Sequence, residues 1–496
     1  MNVALYFLRA TLLLLLLFGH STDAVTVKPS SGMKESKPNV LLFSIGGLRE
    51  EYLLNNTNIA EMIQNATMAK YIQNSVNVID IVDHYSMVTG LFPESHGIIS
   101  HTMFDPILNR VFNSETREEP EWWSNVHPIW QEIENQGQGL GAVCRWPGVY
   151  GPMVPTLRCG QRKSLKSDID QAAKWFKNGV KLVLLYSDDI KKAAVKWGPF
   201  SQQVINEVKN LDSLMKYLLE KTRDLNVNIL FMSDSGVSEL NSYIVNLDRC
   251  LNPTSYVLIR PQATLLIYPK RGYTVQEIYK NLTRCEHVKV YLKEDLPERF
   301  HFSNNPRIPP IVAFLPLGAV VRSSKRVHSV SAGEHKGATG YHPGFKVMRG
   351  VFIGYGPSFK RGLKFQAIRN VDIYGVLCHI LGLTPRPNNG SYDVVKSMFN
   401  DMTSFAVDTT TSHVTTDDAH TTEISPKPIT DEMEMSEDVR VLFWILVAIT
   451  ALLVLFCLVG CITTMVGNYK QGAASRTKVL EPDMKKMLAD SSSEEE

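Results

Sequence analysis

The chain has 496 residues, 44% hydrophobic and 21% charged, with a formal net charge of +2. That length accommodates one large domain or two smaller ones plus tails, and the balance is that of an ordinary globular protein. A charge so close to neutral gives no electrostatic reason to expect a nucleic-acid polymer as partner.

At the N-terminus, Arg9 precedes the apolar run Leu12–Phe18, and small residues lead to Ala24 with Thr22 two before it. This is the pattern of a secretory signal peptide over residues 1–24. The run is too short to cross a bilayer core about 30 Å thick. A polar leader, 25–37, follows. Asn39–Ser44 (NVLLFS) is an apolar run of strand length, suited to a parallel strand buried on both faces and ended by Gly46 and Gly47. Arg49–Leu54 is helix-like. Asn58–Tyr71 is predicted as a helix, with Ile59, Met62 and Ile63 as its apolar positions.

Val78–Ile98 (VIDIVDHYSMVTGLFPESHGI) has the character of an active-site turn. A hydrophobic strand end meets Asp80, Asp83 and His84; a helical run and a loop with Gly and Pro come next. Further buried-strand runs are Gly141–Val143, Lys181–Tyr186 and Asn226–Met232. Between them lie two helical patterns. Ser167–Lys177 has Ile169, Ala172 and Trp175 on one face. Val204–Leu225 has Val204, Val208, Leu211, Leu214, Met215 and Leu218 on one face. Strands alternating with long helices predict an α/β fold with a mostly parallel sheet covered on both sides. Chemistry then gathers at the carboxyl ends of the strands, in the loops beginning at Ile45, Ser187 and Ser233.

Asn241–Leu315 is predicted to be a small α+β insertion, after which Gly337–Phe359 returns to the main sheet and Asn370–Gly382 forms a helix. Residues 38–400 thus make up the globular body. Residues 401–440 are rich in Thr, Ser and Asp with few apolar side chains, the composition of an extended stalk. Val441–Val466 is apolar, uncharged and long enough to span a membrane. Acidic residues precede it and Lys470, Arg476 and Lys478 follow, so the positive-inside tendency places residues 25–440 outside and 467–496 in the cytosol. The expectation is a single-pass type I plasma-membrane protein.

Cysteine usage agrees with an oxidising location. Cys144 and Cys159 can bridge a short loop, and Cys378, in an apolar helical stretch, is expected as a buried free thiol. Asn55, Asn65, Asn281 and Asn389 stand in N-x-S/T sequons and are glycosylation candidates.

Several motifs are more specific. GLFPESHGI, Pro128–Trp130 (PIW), Trp146–Gly148 (WPG), Asn305–Ile311 (NPRIPPI) and Gly354–Lys360 (GYGPSFK) closely resemble the ectonucleotide pyrophosphatase/phosphodiesterase family, a zinc-dependent branch of the alkaline phosphatase superfamily. The resemblance runs from about Lys37 to Ser391. It implies an alkaline phosphatase-like sheet and a Cys250–Cys285 disulfide. It also implies two zinc ions that polarise the phosphoryl group and activate a Thr nucleophile.

At the positions that carry this chemistry the chain departs from the family. The first strand of the family ends S-x-D-G with a zinc-binding Asp; here Gly46 takes that place. The nucleophile position is Asp80, and the neighbouring phosphate-holding Asn is Asp83. In the family's E-x-P-D-x-x-x-H stretch the ligand positions are Lys191 and Val195. The D-H-G motif is Asp234-Ser235-Gly236, and the last ligand His is Thr339. Only Asp234 keeps a ligand side chain. Lys191 is then either an ammonium paired with Asp80 or Asp234 in place of a metal, or a solvent-facing lysine. His84, His96, His335 and His342 are the histidines from which a site could be rebuilt; His84 and His96 match structural positions of the family. The resemblance with these losses describes a pseudoenzyme with no catalytic residue and no expected cofactor, serving to bind an extracellular protein or small molecule. The alternative is an active zinc-dependent phosphodiesterase or pyrophosphatase hydrolysing extracellular nucleotides or related phosphodiesters.

Overall fold

The structure is a computed structural model that describes residues 37–400, apart from 54–55, 77–78, 124–125, 161–163, 242, 260–262 and 324–334. The expected signal peptide, most of the leader, the stalk, the span at 441–466, the tail and the Asn55 sequon all lie outside the described residues. Among the described residues no helix is long and apolar enough to cross a membrane.

Apolar runs of four to seven residues form the central strands: β1 (Asn39–Ile45), β2 (Thr67–Ala69), β3 (Gly141–Cys144), β4 (Leu157–Arg158), β5 (Leu182–Ser187) and β6 (Val227–Met232), with β2 and β4 as shorter additions. The chain then leaves for the insertion, β7 (Tyr256–Ile259), β8 (Thr264–Pro269), β9 (Lys289–Leu292) and β10 (Ile311–Phe314), and returns with β11 (Phe352–Tyr355) and β12 (Lys364–Phe365). The main sheet has the order β12-β2-β11-β6-β1-β5-β3-β4. β1 pairs in parallel with both β5 and β6, β3 is parallel to β5 and β4, and β11 runs antiparallel to β6 and β2.

Side chains alternate across β1, and each face has its own core. Val40 and Leu42 join Leu184, Leu230 and residues of helices α2 (Asp80–Thr89) and α7 (Asp372–Leu381). Leu41 and Phe43 join Val183, Phe231 and residues of α1 (Thr57–Gln64), α3 (Leu165–Lys177), α4 (Asp189–Trp197) and α5 (Gln202–Thr222). Burial on both faces is why the strands are continuously hydrophobic. In α5 the buried residues Val204, Val208, Leu211, Met215 and Leu218 repeat every three or four positions, and the Ser201 side chain caps the first turn; Leu214 is only half-buried.

The helix predicted over Asn58–Tyr71 stops at Gln64, because Thr67–Ala69 is strand β2, hydrogen-bonded between β11 and β12. A three-residue strand has no period long enough to read in the sequence, and its pairing on both sides decides it. The insertion is a four-stranded antiparallel sheet, β7-β8-β10-β9, covered by α6 (Val275–Leu282), whose Thr274 and Glu277 form a capping box. Disulfides join Cys144 to Cys159 and Cys250 to Cys285, and Cys378 is a buried free cysteine. Asn65 is exposed and Asn281 half-buried. Asn389 is also half-buried, and its Oδ1 accepts a hydrogen bond from the Phe92 amide at 2.9 Å.

Candidate functional site

Parallel pairing brings the carboxyl ends of β1, β5 and β6 side by side, so the three loops singled out in the sequence converge at one edge of the sheet. An isolated bridge between Gly47 and Gly236 ties the first loop to the third. α2 begins at Asp80, directly after the extended Ile79, so Asp80, Asp83 and His84 share its first turns rather than a strand end. The two acidic side chains suit the positive end of the helix dipole.

His84 fixes this turn to the sheet. Its Nε2 lies 2.8 Å from Ser44 Oγ on β1, and its Nδ1 lies 2.8 Å from the Asp80 carbonyl. A carbonyl only accepts, so Nδ1 carries the proton and Nε2 accepts from the serine hydroxyl. Burial holds this imidazole down to about 4, against the opposing charge of Asp80, and keeps it neutral. His96 is likewise structural: it pairs with Ser86 Oγ at 2.9 Å and accepts from the Ile98 amide.

The other wall is α4. Its third residue, Lys191, forms an ion pair with Asp80 Oδ1, while the Tyr186 hydroxyl donates to Asp80 Oδ2 at 3.1 Å. Both partners of the ion pair are largely buried, at 13% and 20% side-chain exposure, so Lys191 is the paired lysine and not the solvent-facing one. Burial alone would raise Asp80, but the charges of Lys191 and then of His101 outweigh it and hold the carboxyl well below its usual range. Burial would likewise lower Lys191; Asp80 and Asp234 outweigh it and hold the ammonium above its usual value.

Gly46 and Gly47 make room for this arrangement. A Cβ on Gly46 would stand 2.6 Å from the Tyr186 hydroxyl oxygen, and Gly47, at φ +78°, would place one 2.7 Å from the Lys191 Cα. The space that a side chain at position 46 would use is therefore taken by Tyr186 and the first turn of α4.

Behind this pair lie two more buried carboxyls. Asp83 accepts from Asn370 Nδ2 at 3.1 Å through Oδ1, and its Oδ2 has no hydrogen-bond partner. Burial, then the charges of Asp234 and Asp80, push it well above the carboxylate range. Asp234 is fully buried with neither carboxyl oxygen hydrogen-bonded, and burial and Asp80 raise it to about 7. Ser235 and Thr339 are buried and Val195 half-buried one turn beyond Lys191; none offers an imidazole or carboxylate. His342 is packed between Phe300 and Phe314 in the insertion, at ring separations of 5.1 and 5.3 Å, and His335 has a buried, unbonded Nδ1.

Zinc needs about four nitrogen, sulfur or carboxylate donors around each ion. Among the described residues, Cys144, Cys159 and Asp168 are the one group of three such side chains whose donor atoms lie within 4.8 Å of one another, and both cysteines are in a disulfide. Among the described residues, three carboxyls at the sheet edge face one ammonium and a tyrosine hydroxyl, with His101 acting on Asp80 by its charge, and no three imidazole, thiol or carboxylate donors converge there. This donor set does not fit a zinc pair.

Residues 40–342 match the model of the type I phosphodiesterase / nucleotide pyrophosphatase family. The chain belongs to that family. Within it, this type I phosphodiesterase-family chain is 31% identical over 407 residues to human bis(5'-adenosyl)-triphosphatase ENPP4, spanning 79% of this chain and 87% of that protein. It is 29% identical over 394 residues to human ectonucleotide pyrophosphatase/phosphodiesterase family member 5, spanning 76% and 81%. Solved structures of murine ectonucleotide pyrophosphatase/phosphodiesterase 5, one of them an inactive variant in complex with AMP, superpose with a TM-score of 0.68 at 29% identity, covering 73% of this chain and all of that one. The fold is accordingly that of the alkaline phosphatase superfamily. Sequence reasoning on this family member missed Tyr186, Ser44, Asn370 and His101. A tyrosine near the end of a strand buried on both faces was a readable signal for Tyr186, since a buried phenol needs a partner.

Proposed function

We propose that this family member works at the cell surface by binding and does not hydrolyse phosphodiesters. The observation that carries the reading is the Lys191–Asp80 ion pair, supported by Tyr186, at the positions the resemblance assigns to a zinc ligand and the nucleophile. Phosphodiester cleavage on this scaffold draws on cations that neutralise the transferring phosphoryl group. Here the lysine at the pair is tied to a carboxylate, and Asp83 and Asp234, which burial pushes toward their neutral acids, supply no positive charge to replace the metals. The Asp80 carboxylate is a nucleophile in principle, but phosphate would have to approach it past two other acids. The proposal includes the type I arrangement, with residues 25–440 outside the cell. It also places the binding partner among extracellular proteins or small molecules.

The competing reading, an active zinc phosphodiesterase, draws on the retained Asp234 and on the relatives' names. One measurement separates the two. The full-length protein, purified in detergent with zinc present throughout, is assayed for bound metal and for hydrolysis of a chromogenic nucleotide diester. The binding reading expects less than one zinc per chain and no turnover above that of an Asp234→Asn variant. Two zinc ions per chain with turnover abolished by Asp234→Asn would establish the enzyme.

A further inference from the structure

A second pocket, of about 200 Å³, is lined by residues that follow β1, by β2 and the two residues after it, and by the turn entering β11. Its walls carry four basic side chains, Arg49, Lys70, Lys346 and Arg349, against Glu50 and Glu51. None of Asp80, Asp234 or Lys191 lines it.

The charges are unevenly matched. Glu51 pairs with Arg49 at 3.3 Å, and it also lies in the field of Lys346, so one carboxylate is shared by two cations. Among the described residues no carboxylate lies within ion-pair distance of Lys70, Lys346 or Arg349. The Arg349 guanidinium lies over the Tyr71 ring, its central carbon 4.1 Å from the ring centre, and its Nε is buried without a hydrogen-bond partner. A guanidinium is a planar fork of donors whose geometry matches an oxyanion, and contact with a ring removes part of the freedom it would otherwise lose on binding. Arg49 is held in the same way over Phe200, at 5.0 Å. A buried donor left without an acceptor, as the Arg349 Nε is, carries a cost, and the exposed ammonium groups of Lys70 and Lys346 line the same pocket.

We infer that this pocket is an anion-binding site that takes the terminal phosphate or sulfate group of a small molecule, gripped by Arg349 with Lys346 and Lys70. The pocket has room for a tetrahedral oxyanion and a few further atoms, and is smaller than the pockets that enclose drug-sized ligands. The inference does not depend on whether the Asp80–Lys191 centre is silent, because the two sites share no side chain.

The experiment is calorimetric titration of the full-length protein in detergent with inorganic phosphate at constant ionic strength. Inorganic sulfate and glycerol 3-phosphate serve as parallel arms. Saturable one-to-one binding is expected. It should weaken at least about tenfold in Arg349→Met and, by loss of one charge-assisted contact, several-fold in Lys346→Gln. Tighter binding of glycerol 3-phosphate than of phosphate would identify a phosphate monoester as the ligand; equal binding would identify the free anion. Lys70→Gln, at an exposed position, gives the same direction of change if Arg349→Met fails to fold. Lys209→Gln, at an exposed position of α5 outside the pocket, should leave the affinity unchanged. Binding that does not saturate, that survives all three pocket substitutions, or that disappears with Lys209→Gln overturns the assignment.

Discussion

The Lys191 ammonium lies against the Asp80 carboxylate, joining the start of α4 to the start of α2 across 111 residues of chain. Each partner is largely buried, and each depends on the other for its charge. Truncating one partner of a buried pair leaves the other uncompensated, at a cost of about 3–5 kcal/mol. Lys191→Met is therefore expected to lower stability by about 3 kcal/mol, with the partial exposure placing it at the low end. Adding Asp80→Asn should recover most of that loss. Urea denaturation of the two single variants and the double variant measures the coupling; additive losses would show that the pair contributes no interaction.

The Tyr186 hydroxyl stands where a side chain at position 46 would have to go. Reinstating an aspartate with Gly46→Asp should therefore fail to create a metal site and should destabilise the fold by about 1–3 kcal/mol through overpacking. Tyr186→Phe in the same chain removes the nearest atom and should return part of the loss. The ring carbon behind it, 3.3 Å from the added Cβ, limits the rescue. Thermal unfolding of the two variants, with and without zinc, tests this. A zinc-dependent rise in the Tm of Gly46→Asp alone would contradict it.

Burial depresses His84 to about 4 and His96 to about 3, from an ordinary value of 6.5. Between those limits the unfolded chain binds protons that the folded chain refuses. The contribution of these residues is therefore complete above about pH 6.5 and is lost as the pH falls toward 4. For His84 the amount is roughly 3 kcal/mol. His84→Asn should be less stable than the parent at pH 7.5, with the gap narrowing steadily by pH 4.5. A gap independent of pH would mean that His84 takes up its proton alike in the folded and unfolded chains, and would contradict the depression.

The disulfides close loops of 15 and 35 residues. Loop-closure entropy assigns them about 3 and about 4 kcal/mol. The Cys144–Cys159 bridge fastens β4 to the edge of the main sheet, and Cys250–Cys285 fastens α6 to the insertion. Replacing Cys250 and Cys285 together by Ser should lower stability more than replacing Cys144 and Cys159. It should loosen the insertion first, which hydrogen exchange at β8 and β10 would report as faster exchange there than at β1.

The cores and their order were legible because they rest on repeating patterns. The NVLLFS run suits a strand covered on both faces, and the Val204 to Leu218 spacing suits a helix with one buried face. The short strand Thr67–Ala69 was illegible for the opposite reason: three residues carry no period, and what makes them a strand is the presence of β11 and β12 on either side.

At the site the division is similar. Residue identity alone determined that, at the positions the resemblance marks as metal ligands, residue 46 has no side chain, residues 195, 235 and 339 bear no imidazole, and Asp234 is a carboxylate. It left Lys191 undecided between solvent and an aspartate. Only the fold could settle that, because the choice depends on how closely α4 approaches α2 over the ends of β1 and β5. That distance is set by Gly46, Gly47 and Tyr186 packing together. A sequence lists which charges exist; whether two of them neutralise each other depends on separation and burial, which tertiary packing alone supplies.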